Sequence, residues 1–109
     1  MIWRQIPQTN YSASDQGEIK NLATDRIIKP VTRGNGYAVV VLHGRQEYVH
    51  RMVLHAFTGS LKEQANHKNR NRLDNSLGNL EWVTAKQNVQ HYLRSLVFEM
   101  ELAGQMRLI

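Results

Sequence analysis

Residues 60–79 constrain the fold of this 109-residue chain more than any other part of it. Asn, Lys and Arg crowd the segment, which runs through Asn66-His67-Lys68-Asn69-Arg70-Asn71-Arg72, so it offers no apolar stripe for a buried helix. It reads instead as a strand near Gln64 to Lys68 followed by a long polar loop. A loop of that length inside a small domain marks a place where function is carried.

The flanking segments have clear periods. Tyr37-Ala38-Val39-Val40-Val41-Leu42 is a continuous apolar strand, and His43-Gly44-Arg45-Gln46 turns it into Glu47-Tyr48-Val49 as a hairpin. From His50 the period changes: Val49, Met52, Val53, Ala56 and Phe57 lie three and four apart and define one face of a short helix that stops at Gly59. Beyond the polar loop, Leu80-Glu81-Trp82-Val83 is a short strand. Thr84-Ala85-Lys86-Gln87 is a capping box, and it starts a helix whose apolar stripe is Val89, Tyr92, Leu93, Leu96, Val97 and Met100, with Gly104 as its stop. The region before residue 37 is β-rich, with turns at Asp15-Gln16-Gly17, Asp25-Arg26 and Arg33-Gly34-Asn35-Gly36.

Composition narrows the function classes. No cysteine is present, so neither disulfides nor thiolate zinc can hold the fold. Fourteen Lys and Arg against nine Asp and Glu give a formal charge of +5, which suits a polyanion partner. No apolar run approaches the ~20 residues that span a bilayer, and the start Met1-Ile2-Trp3-Arg4-Gln5-Ile6 has no signal-peptide stretch, so an intracellular, cytoplasmic protein with no membrane partner is expected.

The chemistry concentrates on His67, Asn79 and Asn88, spaced by twelve and then nine residues. A lone histidine is ordinarily a packing or surface residue, and Asn-rich loops arise from turn propensity alone. The combination of Asn66-His67-Lys68-Asn69 with Asn79-Leu80-Glu81-Trp82-Val83-Thr84 and Gln87-Asn88, in the order strand, loop, strand, capped helix, is more specific. It resembles the HNH nucleases of the phage and intron homing type. That resemblance implies an α+β fold in which a small N-terminal antiparallel β-sheet and a short helix precede a ββα-metal motif with a C-terminal helix.

By the same resemblance, His67 would be the general base, since an imidazole with a pKa near ~6.5 can take a proton at neutral pH. Asn79 would tie the loop together and keep the histidine oriented. Asn88 would ligate Mg²⁺ or Mn²⁺ through its amide oxygen. Family members often carry an aspartate ligand before the histidine, where this chain has Asn66. A site built on Asn66 and Asn88, supplemented by His91 one helical turn on, has no formal negative charge and should bind metal weakly without DNA.

A second resemblance lies in Ile2-Trp3-Arg4-Gln5-Ile6-Pro7 and Tyr11-Ser12-Ala13-Ser14-Asp15-Gln16-Gly17-Glu18-Ile19-Lys20-Asn21, which are similar to the nuclease-associated module that precedes HNH domains in phage homing endonucleases. It implies a β-rich module over residues 1–49 that contributes to DNA binding, packed as one unit with an HNH module over residues 50–109. Phosphate contacts would come from Lys68, Arg70 and Arg72 beside the base, and from Lys20, Arg26, Lys29, Arg33 and Arg45 in the N-terminal module. His50-Arg51-Met52-Val53 is similar to the helix that precedes HNH sites, with His50 structural or phosphate-contacting and Arg51 a DNA contact. His43 and His55 are surface or packing residues, and Trp3, Tyr11 and Tyr37 belong to the core.

The resulting expectation is a metal-dependent endonuclease acting on double-stranded DNA, with no small-molecule organic cofactor. A single site cuts one strand, so a monomer would nick and a homodimer could cut both. The rival expectations are a non-catalytic DNA-binding or regulatory protein on the same scaffold, and a small structural or partner-binding phage protein.

Overall fold

The computed structural model of the chain describes residues 1–62 and 64–84. β1 (Trp3–Gln5), β2 (Tyr11–Ser14), β3 (Ile19–Asn21) and β4 (Arg26–Ile28) form an antiparallel meander in that order. Ser12, Ala13 and Ser14 are all buried, so β2 is covered on both faces. Buried hydroxyls need partners. Ser12 Oγ donates to the Arg4 carbonyl, and Ser14 Oγ accepts the N–H groups of Gln16 and Glu18, which fixes the turn into β3.

A second antiparallel sheet contains β5 (Val31–Thr32), β6 (Ala38–Leu42) and β7 (Arg45–Tyr48), with β6 in the middle. Two N-terminal sheets therefore stand where one was expected. The β6–β7 turn is also tighter than expected. His43 and Gly44 alone make it, both at positive φ (52° and 78°), while Arg45 and Gln46 already pair with Leu42 and Val41. Two left-handed residues match the twist of the flanking strands, so the short turn wins.

The 3.6-residue period after β7 produces α1 (Val49–Thr58), which buries Val49, His50, Met52, Val53 and Leu54. Gly59 ends it at φ 74°, donating its N–H to the His55 carbonyl. α1 packs against β2, β6, β7 and β9. Val49, Met52, Val53 and Leu54 join Ile6, Ala13, Ile19, Ala38, Val40 and Leu80 in one core. Each large side chain fully buried there stabilises the fold by about 1.5–3 kcal/mol. The helix thus cements both N-terminal sheets to the hairpin that follows.

That hairpin is β8 (Gln64–His67) and β9 (Leu80–Val83), antiparallel, with His67 opposite Leu80 and Asn66 opposite Glu81. A 3-10 turn at Leu77–Asn79 leads into β9. Leu80 anchors the hairpin in the core, and Trp82 Nε1 donates to Thr58 Oγ1 at 3.1 Å. The expected C-terminal helix, with its Thr84 and Gln87 capping box, lies outside the described residues beyond Thr84. No helix among the described residues is long and apolar enough to cross a membrane.

Candidate active site

β8 ends on His67, which is 5% exposed although it borders a polar loop. Its Nε2 lies 2.8 Å from Asn75 Oδ1. A carboxamide oxygen only accepts, so in this pair Nε2 carries a hydrogen and is the donor. The other side of the ring packs against His50 at 4.8 Å between centroids, and His50 stacks on Tyr37 at 5.1 Å with 17° between planes. His50 was expected to be structural or phosphate-contacting. It is 6% exposed and faces His67, so its place is structural.

Burial, the neighbouring His67 and Arg51 together lower the His50 pKa from 6.5 to about 4, so this imidazole stays neutral at physiological pH. The folded state resists a proton that the unfolded chain accepts. Stability should therefore be complete above pH 6.5 and fall as the pH drops toward 4, by about 2 kcal/mol between pH 7 and 5. Urea denaturation across that range should show this slope, and His50→Gln should flatten it. Equal slopes in the two proteins would contradict the assignment.

The loop after His67 is held by its own asparagines. Asn69 Oδ1 accepts the Asn71 N–H, Asn71 Oδ1 accepts the Leu73 N–H, and Asp74 Oδ1 accepts the Ser76 N–H, a succession of Asx turns. The Ser76 hydroxyl and N–H, with Asn69, hold the Asp74 carboxyl below its usual range. Asn79 is 9% exposed and closes the loop at its base. Its Oδ1 accepts the Asn69 N–H at 3.0 Å, and its Nδ2 donates to Asn69 Oδ1 and to the Asp74 carbonyl, each at 2.9 Å. The direct bond to His67 comes from Asn75, which sequence reasoning passed over. The repeated Asx chemistry marks the loop, but nothing local distinguishes Asn75 from its neighbours.

Asn66 projects beside the hairpin, where its Nδ2 donates to Glu81 Oε1 at 3.1 Å. A carboxylate cannot donate, so the amide is oriented nitrogen toward Glu81, and Asn66 Oδ1 accepts no hydrogen bond among the described residues. No group of three His, Asp or Glu side chains among the described residues could hold a metal ion. Asn88 and His91 lie outside the described residues.

The basic residues divide. Lys68, Arg70 and Arg45 are exposed. Arg72 instead donates to the Asn35 carbonyl and lies over the Tyr37 ring at 4.8 Å, which latches the polar loop to the second sheet. Arg51 donates to the Lys62 carbonyl at 2.9 Å and lies 5.0 Å from the Trp82 ring. Lys20 pairs with Asp25 at 3.4 Å over the Trp3 ring, and Arg33 Nε and Nη2 lie 3.2 and 2.8 Å from the Gln46 side-chain amide, which accepts from both once its oxygen is turned toward the guanidinium. Arg26 and Lys29 are exposed. Tyr11 is half-buried and packs against the core as expected, while Trp3 and Tyr37 are half-buried outside it, each beside a cationic neighbour. His43 is exposed and bonds Tyr11 Oη through Nε2, while His55 is half-buried on α1.

A histidine at the end of one strand, a loop closed by an asparagine and a returning strand have their counterparts in known proteins. Residues 47–90 match the HNH endonuclease family, and residues 1–43 match the NUMOD4 motif. The chain belongs to the HNH endonuclease family. It is 38% identical over 101 residues to an uncharacterized HNH endonuclease of Acanthamoeba polyphaga mimivirus, covering 83% of this chain and 25% of that one. A second mimivirus HNH endonuclease is 27% identical over 92 residues, covering 79% and 28%. DNA endonuclease I-HmuI of Bacillus phage SP01 is 30% identical over 101 residues, covering 85% of this chain and 58% of the phage enzyme. A solved structure of DNA binding and cleavage by the HNH homing endonuclease I-HmuI superimposes with a TM-score of 0.71 at 27% identity, covering 99% of this chain and 62% of that one. This HNH chain therefore spans about a quarter of the mimivirus relatives and under two thirds of the phage enzyme.

Proposed function

We propose that this HNH chain is a metal-dependent DNA endonuclease that hydrolyses phosphodiester bonds in duplex DNA and nicks one strand per site. The observation that carries the reading is the seating of His67. Its ring is buried, gripped at Nε2 by Asn75 and packed against a neutral His50, which leaves Nδ1 to take a proton from water. Asn79 keeps the intervening loop closed, so the imidazole and the loop backbone move as one body. A base held this way loses little orientational freedom when substrate binds.

HNH nucleases generally use a divalent metal, and of the donors that the sequence offers for one only Asn66 lies among the described residues. Asn66 Oδ1 is a neutral oxygen donor with no competing partner among the described residues, and Asn88 and His91 are the further donors the sequence offers. Bound Mg²⁺ or Mn²⁺ would supply charge stabilisation for the leaving 3′ oxygen. Exposed Lys68, Arg70 and Arg45 contact phosphates, with Arg26 and Lys29. Arg51, Arg70, Arg72, Lys20 and Arg33 reach DNA by giving up interactions within the protein. The β-rich residues 1–49 and the HNH residues 50–109 act as one packed unit on the duplex, and double-strand cleavage needs a homodimer or two successive nicks.

The neutral donor at Asn66 also favours a second reading, a DNA-binding protein without turnover. Supercoiled plasmid incubated with magnesium, manganese or EDTA separates the two. Conversion to open circles with either metal and none with EDTA supports the nuclease. Salt-sensitive retardation unaffected by EDTA, with plasmid left uncut in manganese, supports the binder.

A further inference from the structure

The bond to Asn75 fixes one atom of the His67 ring but not its plane. An imidazole held at Nε2 alone can still tilt about that contact, and the tilt decides where Nδ1 aims. What lies against the face of the ring therefore matters as much as the hydrogen bond. Two flat side chains lie there. Tyr37 and His50 stack with 17° between planes, and His67 is inclined to both by nearly the same angle, 38° to Tyr37 at 5.9 Å and 39° to His50 at 4.8 Å between centroids. These separations fall within the range of about 4.5–7 Å over which ring pairs attract with a preferred geometry. Tyr37 and His50 thus form one wall, and the base stands against it at a single angle.

The wall joins two parts of the chain. His50 and His67 belong to the segment that matches the HNH family, whereas Tyr37 belongs to the segment that matches the NUMOD4 motif. Tyr37 immediately precedes β6 and is secured from several directions. Asn35 Oδ1 accepts the Tyr37 N–H at 3.1 Å, and Asn35 Nδ2 donates at 3.2 Å to Tyr48 Oη, whose ring meets Tyr37 edge-on at 5.5 Å and 72°. Arg72 lies over the Tyr37 ring while it donates to the Asn35 carbonyl. The contacts of this side chain with Arg72, Tyr48, His50 and His67 are made through its ring.

We propose that Tyr37 is a positioning residue for the general base, so that the NUMOD4 segment supplies one wall of the nuclease site. The flat face of Tyr37, locked by Asn35, backs His50 and sets the plane of the His67 imidazole. The inference rests on the reading of His67 as the base.

Single-turnover nicking by the full chain at saturating protein, with magnesium, isolates the chemical rate, and retardation of the same DNA reports affinity. Tyr37→Leu removes the flat face but keeps an apolar side chain, and should lower the rate by about 10–10²-fold with affinity within about twofold of wild type. Tyr37→Phe gives the face back and should recover the rate to within about threefold of wild type. Asn35→Ala, at an exposed position, frees the Tyr37 N–H without truncating the ring and should slow nicking about threefold. The His67 Cε1–H proton resonance reads the wall without any catalysis: the lost ring current should shift it in Tyr37→Leu, and Tyr37→Phe should return it. If the wild-type chain leaves plasmid uncut, or His67→Ala nicks as fast as wild type, His67 is not the base and the inference falls with that reading. If His67→Ala is inactive while Tyr37→Leu and Asn35→Ala keep the wild-type rate, the inference falls alone. Rate and affinity falling together in Tyr37→Leu, with Asn35→Ala unchanged, would assign Tyr37 to the stability of the fold and overturn the proposal. Tyr37→Phe as slow as Tyr37→Leu would place the role on the hydroxyl and overturn it equally.

Discussion

His67→Ala is expected to lower metal-dependent nicking of supercoiled plasmid by about 10²–10⁴-fold while leaving retardation of the same DNA within about twofold of wild type. The separation of the two effects follows from where the ring sits. His67 is 5% exposed and lies beneath the loop surface, whereas Lys68 and Arg70 beside it are exposed and remain in place. The substitution also leaves a cavity between His50 and the loop, and the Asn75 side chain loses its partner. A stability loss of about 2–3 kcal/mol is therefore expected, and the assay should be run well below the melting temperature of the variant. His67→Asn fills more of the cavity but cannot act as a base near neutral pH, and should be as inactive as His67→Ala. Full magnesium-dependent cleavage by either variant would show that the base lies elsewhere.

The parts of this site that could be read from the sequence are those governed by local chemistry. The change from a period of two to a period of 3.6 at Val49 placed α1 to within a residue of its observed start, and Gly59 stopped it where a left-handed cap was needed. The polar loop and its two bounding strands were equally legible, because Asn, Asp and Ser reveal Asx turns through short-range bonding. Pairing across distance was not legible. That Asn66 faces Glu81 depends on the β8–β9 register, and a shift of one residue would have turned both side chains to other faces. His50 and His67 are brought together by the packing of α1 on the hairpin, and neither residue's own surroundings in the chain announce the other. Charge counting fared least well. Fourteen basic residues suggested a wide DNA-contacting surface, but Arg72, Arg51, Lys20 and Arg33 have partners within the protein, since a guanidinium or ammonium near an aromatic ring or a carbonyl finds a use there before any ligand arrives.

Gly17→Ala should impair the site from the N-terminal sheet, about 60 residues away in sequence from the loop it touches. Gly17 lies in the β2–β3 turn at φ 89°, and a Cβ built on it would stand 2.8 Å from the Asn75 carbonyl oxygen and 2.9 Å from its carbonyl carbon and Cβ. Two of these are backbone atoms and the third is the Cβ fixed directly to that backbone, so none can swing aside. The turn cannot retreat freely either, because Leu77 N–H donates to the Asp15 carbonyl at 2.8 Å, and Asp15 exchanges backbone and side-chain bonds with Ile2. The polar loop must therefore move, and Asn75 carries the bond to His67 Nε2. The left-handed backbone alone costs about 1–2 kcal/mol with alanine; the displaced loop adds about as much again. A shift of the base by even a fraction of an ångström makes a fall in nicking on the order of 10²-fold the expected result, with DNA affinity little changed. Gly44→Ala is the matched control: Gly44 has φ 78° but nothing within 4 Å of its Cβ position, so it shares the backbone cost and lacks the contact. It should lower stability by about 1–2 kcal/mol and leave nicking intact. Equal activity in the two alanine variants would mean that the N-terminal turn does not govern the placement of His67. A loss confined to Gly17→Ala would make the NUMOD4 segment a structural buttress of the nuclease loop, whatever else it does on DNA.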